Sequence, residues 1–415
     1  MFRYGVLSVS LLCTSFILAN SILFHFTVIC IEAENGQFND SSANSLFNTS
    51  EESWMFSILS VGRLLAVWPV LRGVDRFGLR KTFACFGLIS GIATFLTPLG
   101  GYSFGYMLIM RFLQGISIPS VFVTLGAIPL IWSGKGDNAR FISILGCCYQ
   151  IAPILTMSLS WFFCTSKCGW QGVYYLFGSA TIFGTLGFCF TFSDPNGAEA
   201  DTKEASTDYI PYKQLFTCKP VWGLWLAAFG DALGHHMFLM YGPTLMNKVN
   251  IANTGILTAL PFLLTIFAKF FVGLLLDKTV FIGVNLKFKT FITIFQSLMI
   301  SSFVFVTLFS QSSPVLSQLA FTCVVLFSGL FNVGLFTGAQ IVAKQFVLVL
   351  TVVFSVEIGL VTLILPNLVA VIVPNNAPSE VNQTEFFKCL FLVERAILPY
   401  HRNDDNLQHG ISLAH

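Results

Sequence analysis

The chain is expected to be an all-α polytopic membrane protein, and three observations predict this. Apolar runs follow one another from Tyr4 to Val373, with only short polar hinges between them. Charged residues make up 10% of the sequence and hydrophobic ones 55%, too little polarity to clothe a soluble domain. Each run approaches the about 20 residues that a helix needs to cross about 30 Å of hydrocarbon. Barrel strands are shorter and alternate polar with apolar residues, so the length of these runs selects helix.

Eleven helices are expected, over 5–31, 54–71, 82–99, 103–132, 140–163, 172–192, 220–246, 254–276, 288–310, 315–344 and 346–373. Pro119, Pro129, Pro153 and Pro261 fall inside these runs, which packed neighbours in a membrane tolerate. The first run is too long for the core of a secretory signal and lacks a convincing cleavage site.

The loops orient the helices. Arg72, Arg76, Arg80 and Lys81 crowd the turn after the second helix, and Lys135 and Arg140 lie in the next loop on that side. Lys203, Lys213 and Lys219 follow, then Lys278, Lys287 and Lys289, while Pro98 to Ser103 and Gln311 to Pro314 are nearly uncharged. Cytosolic loops carry the excess of cations, which puts the N-terminus and the even-numbered loops in the cytosol. The sequons at Asn39, Asn48 and Asn382 all fall on the opposite side, where glycans are attached.

The longest cytosolic loop divides the chain into a bundle over 1–192, a linker over 193–219, a second bundle over 220–385 and an atypical tail over 386–415. The 11 cysteines show no C-x-x-C spacing and read mainly as packed thiols, although Cys164 and Cys168 share one outward loop and could pair. A net charge of +2 with no basic, aromatic-laced patch argues against a nucleic-acid partner. Oligomeric state is not legible, and no cofactor motif is present.

Several stretches carry a resemblance. Asp75, Arg76, Gly78, Arg80 and Lys81 are similar to the signature of the major facilitator superfamily, with Leu71 where its first glycine is expected. Within that superfamily the chain resembles the anion:cation symporters, which include the phosphate/urate, sialic acid and vesicular glutamate carriers. The resemblance rests on Arg111-Phe112-Leu113-Gln114-Gly115 with Trp132, on Cys168-Gly169-Trp170 leading to Tyr175-Leu176-Phe177-Gly178, and on Pro211-Tyr212-Lys213 with Lys219-Pro220-Val221-Trp222. Thr254 to Phe262 adds a further stretch, and the similarity covers about residues 50 to 375. It implies two six-helix bundles rocking about a midplane substrate site.

The departures are informative. Carriers of this type usually place an arginine late in the first helix, where Leu23-Phe24-His25-Phe26-Thr27 has none. At the positions of the glutamate and histidine that proton-coupled members carry in the fourth helix stand Ile118 and Gly126. Asp231 stands about where the glutamate carriers have an arginine. Substrate identity therefore does not transfer by analogy.

The polar residues inside the apolar runs are the candidate site. A charge at the bilayer centre costs about 2.5–3.5 kcal/mol on insertion scales, so such residues tend to face the protein interior. Arg63, midway along the second helix, would clamp an anion bidentately or form a structural bridge, with Glu357 as one partner. Asp231 and His235 are four apart and share a helix face, suited to proton or substrate handling or to sealing a helix contact. His25 is a candidate cavity residue, and Lys269 and Glu357 are candidate coupling groups or paired charges. Arg111 reads as a tie between helices, and His236 as packing elsewhere. Asp75, Arg76, Arg80 and Lys81 would form a conformational latch. Two adjacent histidines with nothing to complete a ligand set are not a metal site.

After Val373 a twelfth helix is expected from the resemblance, yet Phe386 to Leu398 is short and broken by Lys388, Glu394 and Arg395. The expectation is therefore a secondary carrier of a small organic or inorganic anion coupled to H⁺ or Na⁺, in the plasma membrane or a vesicular or lysosomal membrane. The alternative is a degenerate, non-transporting membrane protein that serves as an assembly partner or inert remnant. No nucleophile–base pair or phosphate-cradling loop suggests an enzyme.

Overall fold

The computed structural model describes residues 2–38, 47, 49–133, 137–192, 216–248, 254–278, 283–309, 314–342 and 346–372, and these residues are overwhelmingly helical. In chain order the helices are α1 (Phe2–Phe38), α2 (Thr49–Leu96), α3 (Phe104–Ile116), α4 (Ile118–Trp132), α5 (Asn138–Leu145), α6 (Cys148–Thr165) and α7 (Gly169–Thr191). They continue as α8 (Lys219–Lys248), α9 (Thr254–Lys278), α10 (Val284–Phe309), α11 (Pro314–Val342) and α12 (Val347–Ile372). Among the described residues, nine helical stretches are long and apolar enough to cross a membrane. Each of the eleven ranges expected from the sequence overlaps helix. The sequons at Asn39, Asn48 and Asn382, most of the 193–219 linker and the tail beyond Ile372 lie outside the described residues.

The α2 stretch is in fact two helical arms. Gly78 sits between them with φ 81° and ψ 166°, outside the helical region and favoured by the absence of a Cβ. A Cβ built on Gly73 would lie 2.9 Å from the Thr82 side chain. In a straight helix residues nine apart are separated by about 13 Å, so the chain turns back on itself at Gly78.

Two other runs expected to be continuous are interrupted. The run over 103–132 breaks at Ser117, between α3 and α4, because Pro119 has no N–H to offer the Gly115 carbonyl. The Ser117 N–H bonds to the Gln114 carbonyl instead, at 3.4 Å. The run over 140–163 breaks at Gly146–Cys147, between α5 and α6, where the Cys147 N–H tightens onto the Ile144 carbonyl at 3.1 Å.

The chain forms two compact units. The first holds residues Met1–Thr124, Cys148–Ser193 and Thr362–Leu368. In it α2 packs on α3 and α7, and α1 packs on α6 and α7. The contact between α2 and α3 is a close backbone approach: a Cβ on Gly62 would fall 2.4 Å from the Phe112 carbonyl oxygen, and one on Gly115 would fall 2.1 Å from that of Leu59. Small residues at such crossings allow helices in lipid to gain packing that larger side chains would prevent. A disulfide joins Cys30 of α1 to Cys164 of α6. This rules out the Cys164–Cys168 pair that the sequence left open. Cys168 is a free, exposed thiol, and the partner came from a distant helix end rather than from the same loop.

The second unit holds Leu125–Cys147, Asp194–Val361 and Val369–His415. Here α11 packs on α8, α9 and α10, and α5 lies on α9 and α11. Ala139, Leu276, Phe288 and Val333 form an apolar cluster among these helices. Polar ties run beside it: Asn138 donates to Gln340, whose Nε2 donates to the Gly126 carbonyl at 3.3 Å.

Candidate functional site

In the first unit the dominant polar feature is Arg111, only 1% exposed. Its Nη1 donates to the Ser21 carbonyl of α1 at 2.7 Å and to Gln114 Oε1 at 3.2 Å, and its Nε donates to the Met55 carbonyl of α2 at 3.3 Å. Its guanidinium also lies over the Phe24 ring at 5.1 Å. Gln114 continues the chain of bonds to Thr94 at 3.1 Å. Nearby, Asn20 donates to Ser90 and Thr181, at 3.1 and 2.9 Å, and Thr27 bonds the Tyr174 hydroxyl at 2.9 Å. Charge-assisted bonds to backbone carbonyls of two helices make Arg111 a strut of this unit.

Arg63 is 5% exposed and lies 4.9 Å over the Phe122 ring, which in turn meets Tyr149 edge-on at 5.9 Å. The stack orients the guanidinium through cation–π attraction. His25 Nδ1 donates to the Ile22 carbonyl, 3.1 Å away, and its ring packs 4.8 Å from Phe56. Arg63 and His25 therefore rest on different aromatic rings of the same unit.

In the second unit the structure brings Asp231 and His235 into one network. Asp231, 5% exposed, accepts from Asn332 Nδ2 at 3.1 Å through Oδ2. His235 Nδ1 meets Ser328 Oγ at 3.3 Å. Lys269, 1% exposed, acts electrostatically on both and donates to the Gly146 carbonyl at 2.9 Å. His236 turns back to the Ala232 carbonyl at 3.1 Å, consistent with a packing role. Glu357 lies in α12 of this unit with Oε2 shielded from solvent and without a hydrogen-bond partner. Asp75, Arg76 and Lys81 are exposed around the Gly78 turn, where Arg76 lies 5.7 Å over Phe77. Among the described residues, no three His, Cys, Asp or Glu side chains gather as a metal site.

Sequence reasoning did not single out Ser328, Asn332, Phe122, Tyr149 or the Gly146 carbonyl. A signal existed for two of them. Ser328 and Asn332 are four apart in a strongly apolar helix, the same spacing as Asp231 and His235, so both pairs present a single polar face. The other three are apolar, aromatic or backbone groups whose role appears only once helices meet.

Two apolar helical units with buried charges inside them define a membrane transport scaffold. The chain belongs to the Major Facilitator Superfamily, a family of transporters and not of enzymes, whose model matches residues 6–357. Among curated relatives, sodium-dependent phosphate transport protein 1 of Mus musculus is 23% identical over 315 residues, covering 66% of this chain and 66% of that protein. A probable chloroplastic anion transporter 4 of Oryza sativa subsp. japonica is 26% identical and covers 82% of this chain and 59% of its own length. The chloroplastic ascorbate transporter of Arabidopsis thaliana is 25% identical, with 62% and 50% covered. The chain thus spans about half to two thirds of the length of the curated relatives it matches. A crystal structure of a D-xylose–proton symporter shares the fold, with a TM-score of 0.69, 14% identity and 99% of each chain covered.

Proposed function

We propose that this chain is a secondary carrier for a small organic or inorganic anion, coupled to H⁺ or Na⁺ and working by alternating access. The observation that carries the reading is Arg63, a guanidinium held inside an apolar unit on an aromatic stack. Guanidinium is the side chain best suited to bidentate recognition of carboxylate or phosphate. The names of the curated relatives, phosphate and anion transporters, support the same substrate class. In this reading Arg63 and His25 address the anion, while Asp231, His235 and Glu357 serve the coupling ion or further substrate contacts. Asp75, Arg76, Arg80 and Lys81 act as a latch on the cytosolic turn. The bundles over 1–192 and 220–385 are the moving parts, linked by 193–219. The N-terminus faces the cytosol, glycans attach at Asn39, Asn48 and Asn382, and the membrane is the plasma membrane or that of a vesicle or lysosome.

The test is uptake into proteoliposomes of phosphate, sialate, glutamate and urate under imposed pH and Na⁺ gradients. Arg63→Ala should abolish uptake of the transported anion at unchanged expression. Uptake that survives the substitution removes Arg63 from the site. A folded wild-type chain that moves none of the four would favour a non-transporting membrane protein.

A further inference from the structure

The carboxylate of Asp231 is only half engaged. Oδ2 accepts from Asn332, whereas Oδ1 is shielded from solvent and has no hydrogen bond. Asn332 Nδ2 donates a second time, to the Ser328 carbonyl oxygen at 3.0 Å. One nitrogen serving two acceptors settles the amide's orientation, because exchanging N and O would set an oxygen against two other acceptors. The Asn332 oxygen therefore does not face Asp231. The Ser328 hydroxyl also hydrogen-bonds the Asp231 carboxylate and meets His235 Nδ1 at 3.3 Å, so it stands between the two. The charged group acting on the carboxylate is Lys269 from α9, α11 contributes the non-titrating Ser328 and Asn332, and the titratable His235 four residues on in the same helix is reached through Ser328.

This arrangement discriminates between coupling ions. Hard metal cations are held by several oxygen ligands gathered around one point. Here the neighbouring amide presents hydrogens, the one hydroxyl is shared between the carboxylate and an imidazole, and the Lys269 ammonium already acts on the carboxylate. A proton needs a single lone pair, which Oδ1 offers. A buried carboxylate with an unpartnered oxygen is costly, and a proton bound at that oxygen cancels the charge without further ligands.

We propose that Asp231 Oδ1 is the proton-binding atom that couples this chain to H⁺, with Asn332 positioning the carboxylate and Ser328 linking it to His235. The proposal rests on the reading of the chain as an ion-coupled carrier, and selects H⁺ over Na⁺ within it. The proton binds at Oδ1 from one side of the membrane and leaves the same atom toward the other.

The experiment uses the full chain in proteoliposomes, and its first arm needs no substrate. Infrared spectra recorded through a pH titration should contain a protonated-carboxyl band that is absent in Asp231→Asn. That band should be unaffected when NaCl replaces choline chloride at constant pH. Asn332→Ala should move the midpoint of its titration, which a loss of packing alone would not do. The second arm follows inorganic phosphate. Asp231→Asn should lose accumulation driven by a pH gradient while matching the wild type in helical circular dichroism and in elution as a single monodisperse species, which shows that the variant is folded. No band difference between wild type and Asp231→Asn, or a band removed by Na⁺, overturns the proposal. If the wild type fails to carry phosphate while the band behaves as expected, the proton site stands and phosphate is excluded as substrate.

Discussion

Gly115→Ala isolates the close approach of α2 and α3. The added Cβ would sit 2.1 Å from the Leu59 carbonyl oxygen and 2.9 Å from its carbon, both backbone atoms that no rotamer change can move. Reaching ordinary van der Waals contact requires the two helices to part by about 1.3 Å. Overpacking of this kind costs about 1–3 kcal/mol. The separation also stretches the Arg111–Met55 bond, already 3.3 Å, past hydrogen-bonding range, and a bond to a charged donor is worth about 1.5–3 kcal/mol. The expected loss is therefore about 2.5–6 kcal/mol, a large share of the about 5–15 kcal/mol that holds a typical protein folded. The assay is a reversible SDS titration of the purified chain in mixed micelles, with Gly187→Ala as control. Gly187 has nothing within 4 Å of a built Cβ, so its substitution should cost nothing or add helix propensity. If Gly115→Ala also loses less than about 1 kcal/mol, the helices do not cross this closely and the reasoning fails.

Two further outcomes follow from the covalent chemistry. A non-reducing digest of native membranes should yield a peptide linking Cys30 to Cys164, with Cys168 alkylated by a maleimide before any reduction. A Cys164–Cys168 peptide would contradict the fold at the end of α6. For the orientation read from the loop charges, endoglycosidase treatment should raise the electrophoretic mobility of the chain, and Asn39→Gln, Asn48→Gln and Asn382→Gln together should reproduce the shift. Unchanged mobility would remove the support that the sequons lend to this orientation.

The helices were legible because lipid imposes one rule on every residue of a span, and hydropathy reports it directly. Arg111 was also legible as a tie, since a motif arginine inside an apolar helix needs acceptors and backbone carbonyls are the nearest supply. What local sequence could not reveal were events that depend on two distant segments meeting. Cys30 and Cys164 are separated by 134 residues, and only the packing of α1 on α6 brings them together. Lys269 finds its acceptor at Gly146 because α5 stops there, and that stop carries no proline to announce it. Asp231 and His235 were recognisable as a pair from their spacing, but not the Ser328 and Asn332 that join them from α11.

The two units use their buried polar groups differently, and under the function proposed above that difference separates scaffold from site. Arg111 spends its bonds on backbone carbonyls of α1 and α2, atoms that cannot retreat without unwinding helix. Removing the guanidinium would leave those helices without their tie and would impair folding before function. Asp231 is held by side chains alone, the Asn332 amide and the Ser328 hydroxyl, and its Oδ1 is left over. A chain selected for stability alone would fill that position with an apolar residue, since burying a half-satisfied carboxylate costs more than it returns. Its presence beside an imidazole and an ammonium, on the face where α8 meets α11, is accounted for when the vacant lone pair is occupied during part of a cycle. The same reasoning extends to Glu357, whose Oε2 is likewise buried and unbonded. It makes Glu357 the second position at which ion or substrate traffic through this unit should be sought.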